Sequence, residues 1–170
     1  MDKKQAITQE LPHLMRYARA LKRDATAADD LVQDCVGRAL AKLHLFQAGT
    51  NMRAWLFTIL HNIHRQDLRT ASRRIQTSVM DEVIENQHGT AATQGSALIM
   101  RDLHQAMGHL PDEQREVLLL IGLEDMSYKE VSEVLEIPVG TVMSRLSRGR
   151  EKLKRLMEGE ELAPVLRSVK

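Results

Sequence analysis

The side chains best placed to bind another molecule are basic and hydroxyl groups near the C-terminal end of the chain. Between Val139 and Met157 there are six lysines and arginines against one acid, so this segment carries a net charge of +5. At helical spacing its apolar residues form one stripe, consisting of Val139, Val142, Leu146, Gly149, Leu153 and Leu156. The opposite side and its edges hold small or charged groups, namely Gly140, Met143, Ser144, Arg145, Ser147, Arg148, Arg150, Glu151 and Lys152.

Such a face has the chemistry of a helix that contacts DNA. Serines allow a close approach to base edges, and arginines can contact guanine or phosphate. A second helical pattern precedes it from Ser127 to Leu135, and Pro138 separates the two after a very short break. Two helices joined in this way predict a helix-turn-helix, whose second helix can enter a major groove. The alternative is a solvated basic helix packed on its own domain.

A second basic segment lies between Arg53 and Arg74, with five arginines against Asp67. The spacing predicts a helix from Met52 to about Ser72, with Trp55 at the border of its polar side. That side collects Thr58, His61, Asn62, Arg65 and Arg69. A tryptophan beside amides and arginines suits the stacking of single-stranded bases, although tryptophan is also a common core residue. Two basic helices in a chain of net charge +1 indicate two contacts on one polyanion.

Other chemistry is not indicated. His61 and His64 lie three residues apart, but no third ligand is close in the sequence and the HExxH motif is absent. Cys35 is the single cysteine, which excludes an intramolecular disulfide. We find no nucleophile–base pair and no phosphate-binding glycine loop. We therefore expect neither catalysis, nor a metal, nor a cofactor.

The remaining segments predict an all-α fold, because helix formers are abundant and aromatic residues make up only 3%. We expect a helix over residues 4–23, with Pro12 as a break or a start. Another should run from Ala27 to about His44, with Thr26 as its N-cap. Residues 71–97 lose the apolar pattern and predict a linker, with room for a short helix at 79–84. The apolar run 117–123 should form the centre of a second core. There is neither a signal-peptide pattern nor an apolar run of about 18 residues, so we expect a cytoplasmic protein.

Three blocks of this sequence resemble extracytoplasmic-function sigma factors of the sigma-70 superfamily, bacterial transcription-initiation factors. They are ADDLVQDCVGRALAKL (28–43), FQAGTNMRAWLFTILHNIHRQDLR (46–69) and LPDEQREVLLLIGLEDMSYKEVSEVLEIPVGTVMSRLSRGREKL (110–153). The resemblance implies two small helical domains joined by a flexible linker. Sigma region 2 would span 8–73, the linker 74–97, and region 4, with the helix-turn-helix, 98–158. The sequence of the segment NMRAWLFTILHN is most similar to that of the general-stress branch.

The resemblance also implies partners and residue roles. Region 2 would bind the β′ clamp helices of core RNA polymerase through Asp30, Gln33 and Asp34, and the β flap would be a further polymerase contact. The −10 non-template strand would be held by the loop 46–51 and the following helix, specifically by Phe46, Asn51, Trp55, Asn62, Arg65 and Arg69. The −35 element would be contacted by Ser144, Arg145, Ser147, Arg148 and Arg150. Factors of this branch are typically held by an anti-sigma protein.

Two positions depart from the pattern of this family. Many relatives carry a basic residue where this chain has Met143, so the resemblance implies that one phosphate or base contact of those relatives would be missing here. Gly149 stands where alanine is common, which would loosen the helix slightly. Two other interpretations of the whole chain are a helix-turn-helix regulator that binds DNA without melting it, and a sigma-like decoy that sequesters an anti-sigma factor.

Overall fold

The computed structural model describes residues 2–77 and 94–159, and these two ranges contain helices and no strand. Seven α-helices follow one another, with a short 3₁₀ turn at Leu43–Leu45 after the second. They are α1 (Lys3–Lys22), α2 (Ala25–Ala41), α3 (Met52–Thr77), α4 (Gln94–Gly108), α5 (Asp112–Gly122), α6 (Tyr128–Leu135) and α7 (Val139–Met157). The all-α prediction is confirmed.

The helix boundaries differ from the predictions where local capping decides them. The carboxylate of Asp24 accepts a hydrogen bond from the Ala27 backbone N–H at 3.0 Å and begins α2, so the prediction of Thr26 as N-cap is wrong. Pro12 lies inside α1, which continues through it. Helices α3 and α4 occupy both ends of the predicted linker. Its middle, including the segment 79–84, lies outside the described residues.

Capping also defines the helix-turn-helix. The Ser127 hydroxyl accepts from the Glu130 N–H, and the Glu130 carboxylate accepts from the Ser127 N–H, which closes a capping box at the start of α6. Glu136 ends α6 in the left-handed region, with φ at 54°, and Pro138 stands at the N-cap position of α7. The predicted break therefore produces two helices joined by three residues.

Gly149 allows α7 to pack closely on α5. A Cβ at this position would lie 3.0 Å from Leu118 Cδ1 and 3.3 Å from Gln114 Cβ, which is closer than carbon atoms normally approach. Leu118 or Gln114 would therefore have to shift to admit alanine. Gly149 thus lowers the helix propensity of α7 but also permits its close packing on α5.

The buried apolar side chains form one continuous core rather than the two cores expected from the sequence. It joins residues of α1, α2 and α3 to residues of α5, α6 and α7. Val117 and Leu120 are buried in it, as predicted for the run 117–123. In the N-terminal half, Tyr17 and Phe57 meet edge to face with ring centroids 5.1 Å apart. The two halves of the chain are therefore packed against each other.

Candidate nucleic-acid interface

The C-terminal helix α7 presents its predicted polar face to solvent. Val142, Leu146 and Gly149 are buried against the rest of the protein, whereas Ser147, Arg148 and Arg150 are exposed on the outside of the helix. Ser144 is partly buried, and its hydroxyl donates to the Thr141 carbonyl at 3.1 Å. The helical periodicity therefore located the outward face correctly.

Arg145 is placed differently from the other arginines of α7. Its guanidinium lies 3.5 Å from the Glu113 carboxylate at the start of α5. It also lines a cleft between the two halves of the chain, opposite Arg65 and Arg69 of α3. In this arrangement Arg145 is directed toward α3 and away from the open face of α7.

The predicted single-strand surface is a stripe along α3 and the residue preceding it. Its members recur every three or four residues along one side of the helix, with Thr58 filling the remaining turn. They are Asn51, Trp55, Asn62, Arg65 and Arg69. Asn62 and Arg69 are exposed, while Trp55 and Arg65 are partly buried. The structure thus places five of the six predicted −10 residues on a common face.

Phe46, the sixth of these residues, has its ring buried. The ring is 8% exposed and packs against Trp55, with centroids 5.1 Å apart and an interplanar angle of 52°. The Lys3 ammonium donates to the Phe46 carbonyl at 2.8 Å and lies 5.9 Å from the ring centroid. The Phe46 ring therefore packs against Trp55 and helps to hold it in place in this arrangement.

One side of the α3 stripe is covered by α6. The Asn51 side-chain amide donates to Glu130 of α6 at 2.8 Å, while its carbonyl oxygen accepts from the Ala54 N–H at 3.2 Å. Further along, a cleft of about 300 Å³ separates α3 from the second half of the chain. Arg65 and Arg69 line the α3 wall, and the opposite wall holds four acids together with Arg145, the full set being His61, Arg65, Leu68, Arg69, Asp112, Glu113, Glu116, Leu135, Glu136, Ile137 and Arg145.

A buried ionic cluster joins the two halves at one end. The Glu124 carboxylate is fully buried, accepts two hydrogen bonds from Arg16 at 3.0 Å and accepts one from His13 Nδ1 at 2.9 Å. His13 Nε2 in turn accepts from Arg53 at 2.7 Å, and Arg53 also pairs with Glu10 at 2.8 Å. Each charge has a partner, as buried charges require. No local pattern in the sequence indicates this cluster, because Glu124 lies 111 residues from His13.

A second buried cluster, formed by His61, His64 and Glu116, joins the halves with few hydrogen bonds. Oε1 of Glu116 lies 3.7 Å from His61 Nδ1 and 3.5 Å from His64 Nε2, beyond good hydrogen-bond distance. Within the described residues, His61 Nδ1 and both ring nitrogens of His64 lack a hydrogen-bond partner. Helical spacing predicted His61 on the polar side of the helix. The structure buries it, because the second half of the chain covers this side.

Burial controls the titration of this second cluster. Desolvation raises the pKa of Glu116 to about 7 and lowers the pKa values of His61 and His64 to about 4. Nearby arginines, Arg65 and Arg145, oppose part of the shift at Glu116 and add to the shift at His61. Near neutral pH both histidines are therefore uncharged, and Glu116 is divided between its two forms.

The predicted polymerase-docking residues share one side of α2. Asp30, Gln33 and Asp34 are exposed, while Leu31, Val32 and Cys35 are buried beneath them. Between α1 and α2 lies an apolar depression that includes Leu11, Met15, Val32 and Val36, with Gln33 at its border. No group of metal-binding side chains occurs in the ranges 2–77 and 94–159, and no helix there is long and apolar enough to span a membrane.

Comparison with known proteins assigns both halves of the chain. Residues 7–61 match the family described as the Sigma2 domain of PhyR, and residues 100–153 match the family described as Sigma-70, region 4. The ECF RNA polymerase sigma factor EcfG of Rhodopseudomonas palustris is 38% identical over 149 residues, which cover 86% of this chain and 80% of that protein. The chain belongs to the extracytoplasmic-function sigma factor family. The similarity to EcfG and PhyR agrees with the general-stress branch expected from the sequence.

Two solved structures share the architecture of this sigma factor. RpoE of Bartonella quintana, in complex with the anti-sigma factor NepR, superposes with a TM-score of 0.79 and 35% identity, over 93% of this chain and 98% of that one. CnrH, in complex with the cytosolic domain of CnrY, superposes with a TM-score of 0.69 and 26% identity, over 94% and 89% of the two chains. The likeness extends over both halves of the protein.

Proposed function

We propose that this sigma factor directs core RNA polymerase to promoters by reading the −35 duplex with α7 and capturing the single-stranded −10 element with the α3 stripe. The observation that carries the proposal is the pair of basic faces on separate helices of one chain. The α7 face offers Ser147, Arg148 and Arg150 to a major groove. The α3 stripe offers an aromatic ring, amides and arginines of the kind that bind unstacked bases.

Promoter melting needs no catalytic group on this chain. An extruded base loses a few kcal/mol of stacking and pairing, and a surface that holds the extruded base offsets that loss. Trp55, supported by Phe46, supplies a stacking surface, and Asn62 supplies both a hydrogen-bond donor and an acceptor. Arg65 and Arg69 supply charge for the strand backbone.

The proposal requires the two halves of the protein to separate. With α6 against α3, Asn51 is bound to Glu130, and Arg65 faces the acids Glu116 and Glu136 across the cleft. A DNA strand lying along the stripe would need to replace these contacts. We therefore assign the packed arrangement to the resting state of the sigma factor and a separated arrangement to the promoter complex.

The partner on α2 is proposed to be the β′ clamp helices, with the β flap as a further polymerase contact. Asp30→Lys combined with Asp34→Lys should reduce the binding of core polymerase at least tenfold, because two exposed acids would become like charges against a basic partner surface. Asp102→Lys, a charge reversal at an exposed acid of α4, should leave the affinity unchanged. Equal affinities of the double variant and wild type, measured by fluorescence titration, would contradict this assignment.

An anti-sigma protein is the proposed inhibitor. RpoE of Bartonella quintana was solved bound to the anti-sigma factor NepR, and this chain superposes on RpoE over 93% of its length. An inhibitor that binds the packed arrangement would shift the population toward it and keep the α3 stripe covered.

Run-off transcription with purified core polymerase on genomic promoter fragments tests the main proposal. The sigma factor should produce discrete transcripts, and core polymerase alone should not. A specific complex with duplex DNA in the absence of polymerase, with no run-off products, would instead support the regulator interpretation.

The decoy interpretation has one observation in its favour, which is the match of residues 7–61 to the Sigma2 domain of PhyR. A structure of PhyR with NepR describes PhyR as an anti-anti-sigma factor. A decoy has no use for an exposed basic helix, however, and α7 exposes Arg148 and Arg150. If this chain bound a NepR-like protein but supported no run-off transcription, the decoy interpretation would be favoured.

A further inference from the structure

Two apolar side chains of α7 are exposed next to its polar face. Val139 is 41% exposed and Met143, one turn later, is 52% exposed. Neither belongs to the core or packs against it, whereas Ile137, two residues before α7, does. Helical spacing predicted that Val139 belongs to the buried stripe. The structure corrects this, because Val139 lies at the edge of that stripe in the first turn of the helix.

This apolar edge is continuous with the face proposed to read DNA. Met143 lies one turn before Ser147 on the same flank, and both side chains are exposed. The flank continues with the exposed cations Arg150 and Lys154. Positive charge along the flank suits the DNA backbone, so the apolar pair would face the groove between base edges and phosphates.

The major groove contains one kind of apolar group that such an edge can recognise. Base edges present hydrogen-bond donors and acceptors, and thymine alone among the four bases adds a 5-methyl group. Residues at the N-terminal end of a recognition helix are the ones that meet base edges. Val139 and Met143 are the first and fifth residues of α7.

We propose that Met143, with Val139 beside it, contacts the 5-methyl group of a thymine in the −35 element and so makes thymine preferred at that position. The inference rests on the proposed −35 role of α7 and adds a base-specific contact to it. A methionine suits this contact because its unbranched, polarizable side chain adapts to an apolar group. Deoxyuridine differs from thymidine only by lacking this methyl group, so it isolates the contact.

The experiment measures the affinity of the sigma factor–core polymerase complex for one promoter duplex. The duplex is first selected with wild-type complex from a pool randomised in the −35 region, and each −35 thymine on either strand is then replaced singly by deoxyuridine. Burial of one methyl group predicts about a fourfold loss of affinity at one or two positions. With Met143→Ala, thymine and uracil at those positions should bind equally.

Two control variants separate the methyl contact from a general weakening. Met143→Leu keeps an apolar group and should keep the preference for thymine. Lys152→Ala should weaken both duplexes equally and leave the ratio unchanged. Circular dichroism should show the same helix content in each variant, because position 143 is mostly exposed and alanine and leucine both favour helices.

The possible failures are distinguishable. If wild-type complex prefers the promoter over a scrambled duplex but binds thymine and uracil equally at each position, the methyl contact is excluded and the −35 role stands. If Met143→Ala keeps the wild-type ratio, Met143 is not the residue that reads the methyl group. If selection yields no preferred −35 sequence, the proposed function fails and the contact fails with it.

Discussion

The two basic helices of this sigma factor differ in how much of their polar face is open. On α7, Ser147, Arg148 and Arg150 are exposed, whereas Arg145 is drawn toward the rest of the protein. On α3, the polar stripe begins at an asparagine already bound to Glu130 and continues past a cleft walled by acids. A duplex can reach α7 in this arrangement, whereas a single strand reaches the whole α3 stripe only after α6 moves away.

The difference agrees with what each face is proposed to bind. Duplex DNA is always present. An open α7 face therefore has no disadvantage for specificity other than its general attraction to any duplex. Single-stranded DNA arises only during opening, and an uncovered α3 stripe would bind single strands elsewhere. Acids of the second half line the cleft together with Arg65 and Arg69, so the covering elements carry charges opposite to those of these arginines.

The largest effect should come from Asn62→Ala, which alters the exposed middle of the α3 stripe. With the captured base no longer held, open complex should fall by roughly a hundredfold, the equivalent of a few kcal/mol for an extruded base. Closed complex should form normally, because α7 is unchanged. Permanganate reactivity of the −10 thymines, measured with core polymerase, reports the opening.

A promoter with a pre-melted −10 bubble serves as the control for Asn62→Ala. It should partly restore transcription, since the cost of opening has already been met. Wild-type permanganate reactivity with this variant on an ordinary promoter would show that the exposed stripe does not hold the strand.

Arg148→Ala should have the next largest effect, on the open face. We expect a cost of about 1–3 kcal/mol and relaxed specificity at one base position. Lys152→Ala should instead weaken all promoters alike and reduce the salt slope by about one. Competition binding against a panel of single-base −35 variants distinguishes the two, and an unchanged rank order with Arg148→Ala would remove Arg148 from the reading face.

Removing the Glu130 contact should uncover the start of the α3 stripe. Glu130→Ala breaks both the capping box and the hydrogen bond to Asn51, whereas Ser127→Ala weakens the capping box and leaves Glu130 in place. A lost hydrogen bond of about 1 kcal/mol predicts roughly fivefold tighter binding of a −10 single strand by Glu130→Ala alone. Fluorescence anisotropy with a labelled oligonucleotide measures it. Equal tightening by Ser127→Ala would attribute the effect to the capping box.

The smallest effect should be a pH dependence of the packed arrangement. Separation would hydrate His61, His64 and Glu116 and return their pKa values toward ordinary ones, near 6.5 for the histidines and 4.5 for the glutamate. The raised pKa of Glu116 favours packing at low pH, and this contribution is lost as pH rises through about 7. The lowered pKa values of the histidines favour packing above 6.5, and this contribution is lost as pH falls toward 4.

Packing should therefore strengthen as pH rises from about 4 to about 6.5, because two histidines outweigh one glutamate, and should stay nearly level at higher pH. Energy transfer between dyes at exposed positions of α2 and α4 follows the separation. Glu116→Gln keeps the side-chain shape but cannot ionise, so it removes the opposing contribution and should make the rise of packing with pH larger. A rise of wild-type size in this variant would show that Glu116 does not titrate in the packed arrangement.

Much of the architecture follows from local patterns that the sequence displays. The stripe Val142, Leu146 and Gly149 and the break at Pro138 predicted α7 and its turn correctly, because apolar periodicity and capping act within a few residues. The helix boundaries were predicted less accurately. Asp24 rather than Thr26 caps α2, since either side chain could accept a backbone hydrogen bond and the chain direction after α1 selects between them.

The predicted site residues likewise divide into those whose position was predicted correctly and those whose position was not. Helical spacing located Trp55, Asn62, Arg65 and Arg69 of the α3 stripe, and the resemblance to sigma factors singled out Asp30, Gln33 and Asp34, which the structure exposes on α2. Phe46 was predicted to face DNA, yet its ring is buried behind Trp55, because a loop has no periodicity that would indicate where a side chain points. His64 and Glu116 were not recognised as partners, since they lie 52 positions apart on different helices.

The sequence by itself determined that this sigma factor has two basic helices and which side of each is polar, because helix geometry converts residue spacing directly into faces. Only the tertiary structure decided that α7 remains open and that α3 is partly covered. That outcome depends on contacts between distant segments, such as Asn51 with Glu130 and Arg16 with Glu124. Their free energy arises from burial and charge pairing between surfaces that no local pattern relates to each other.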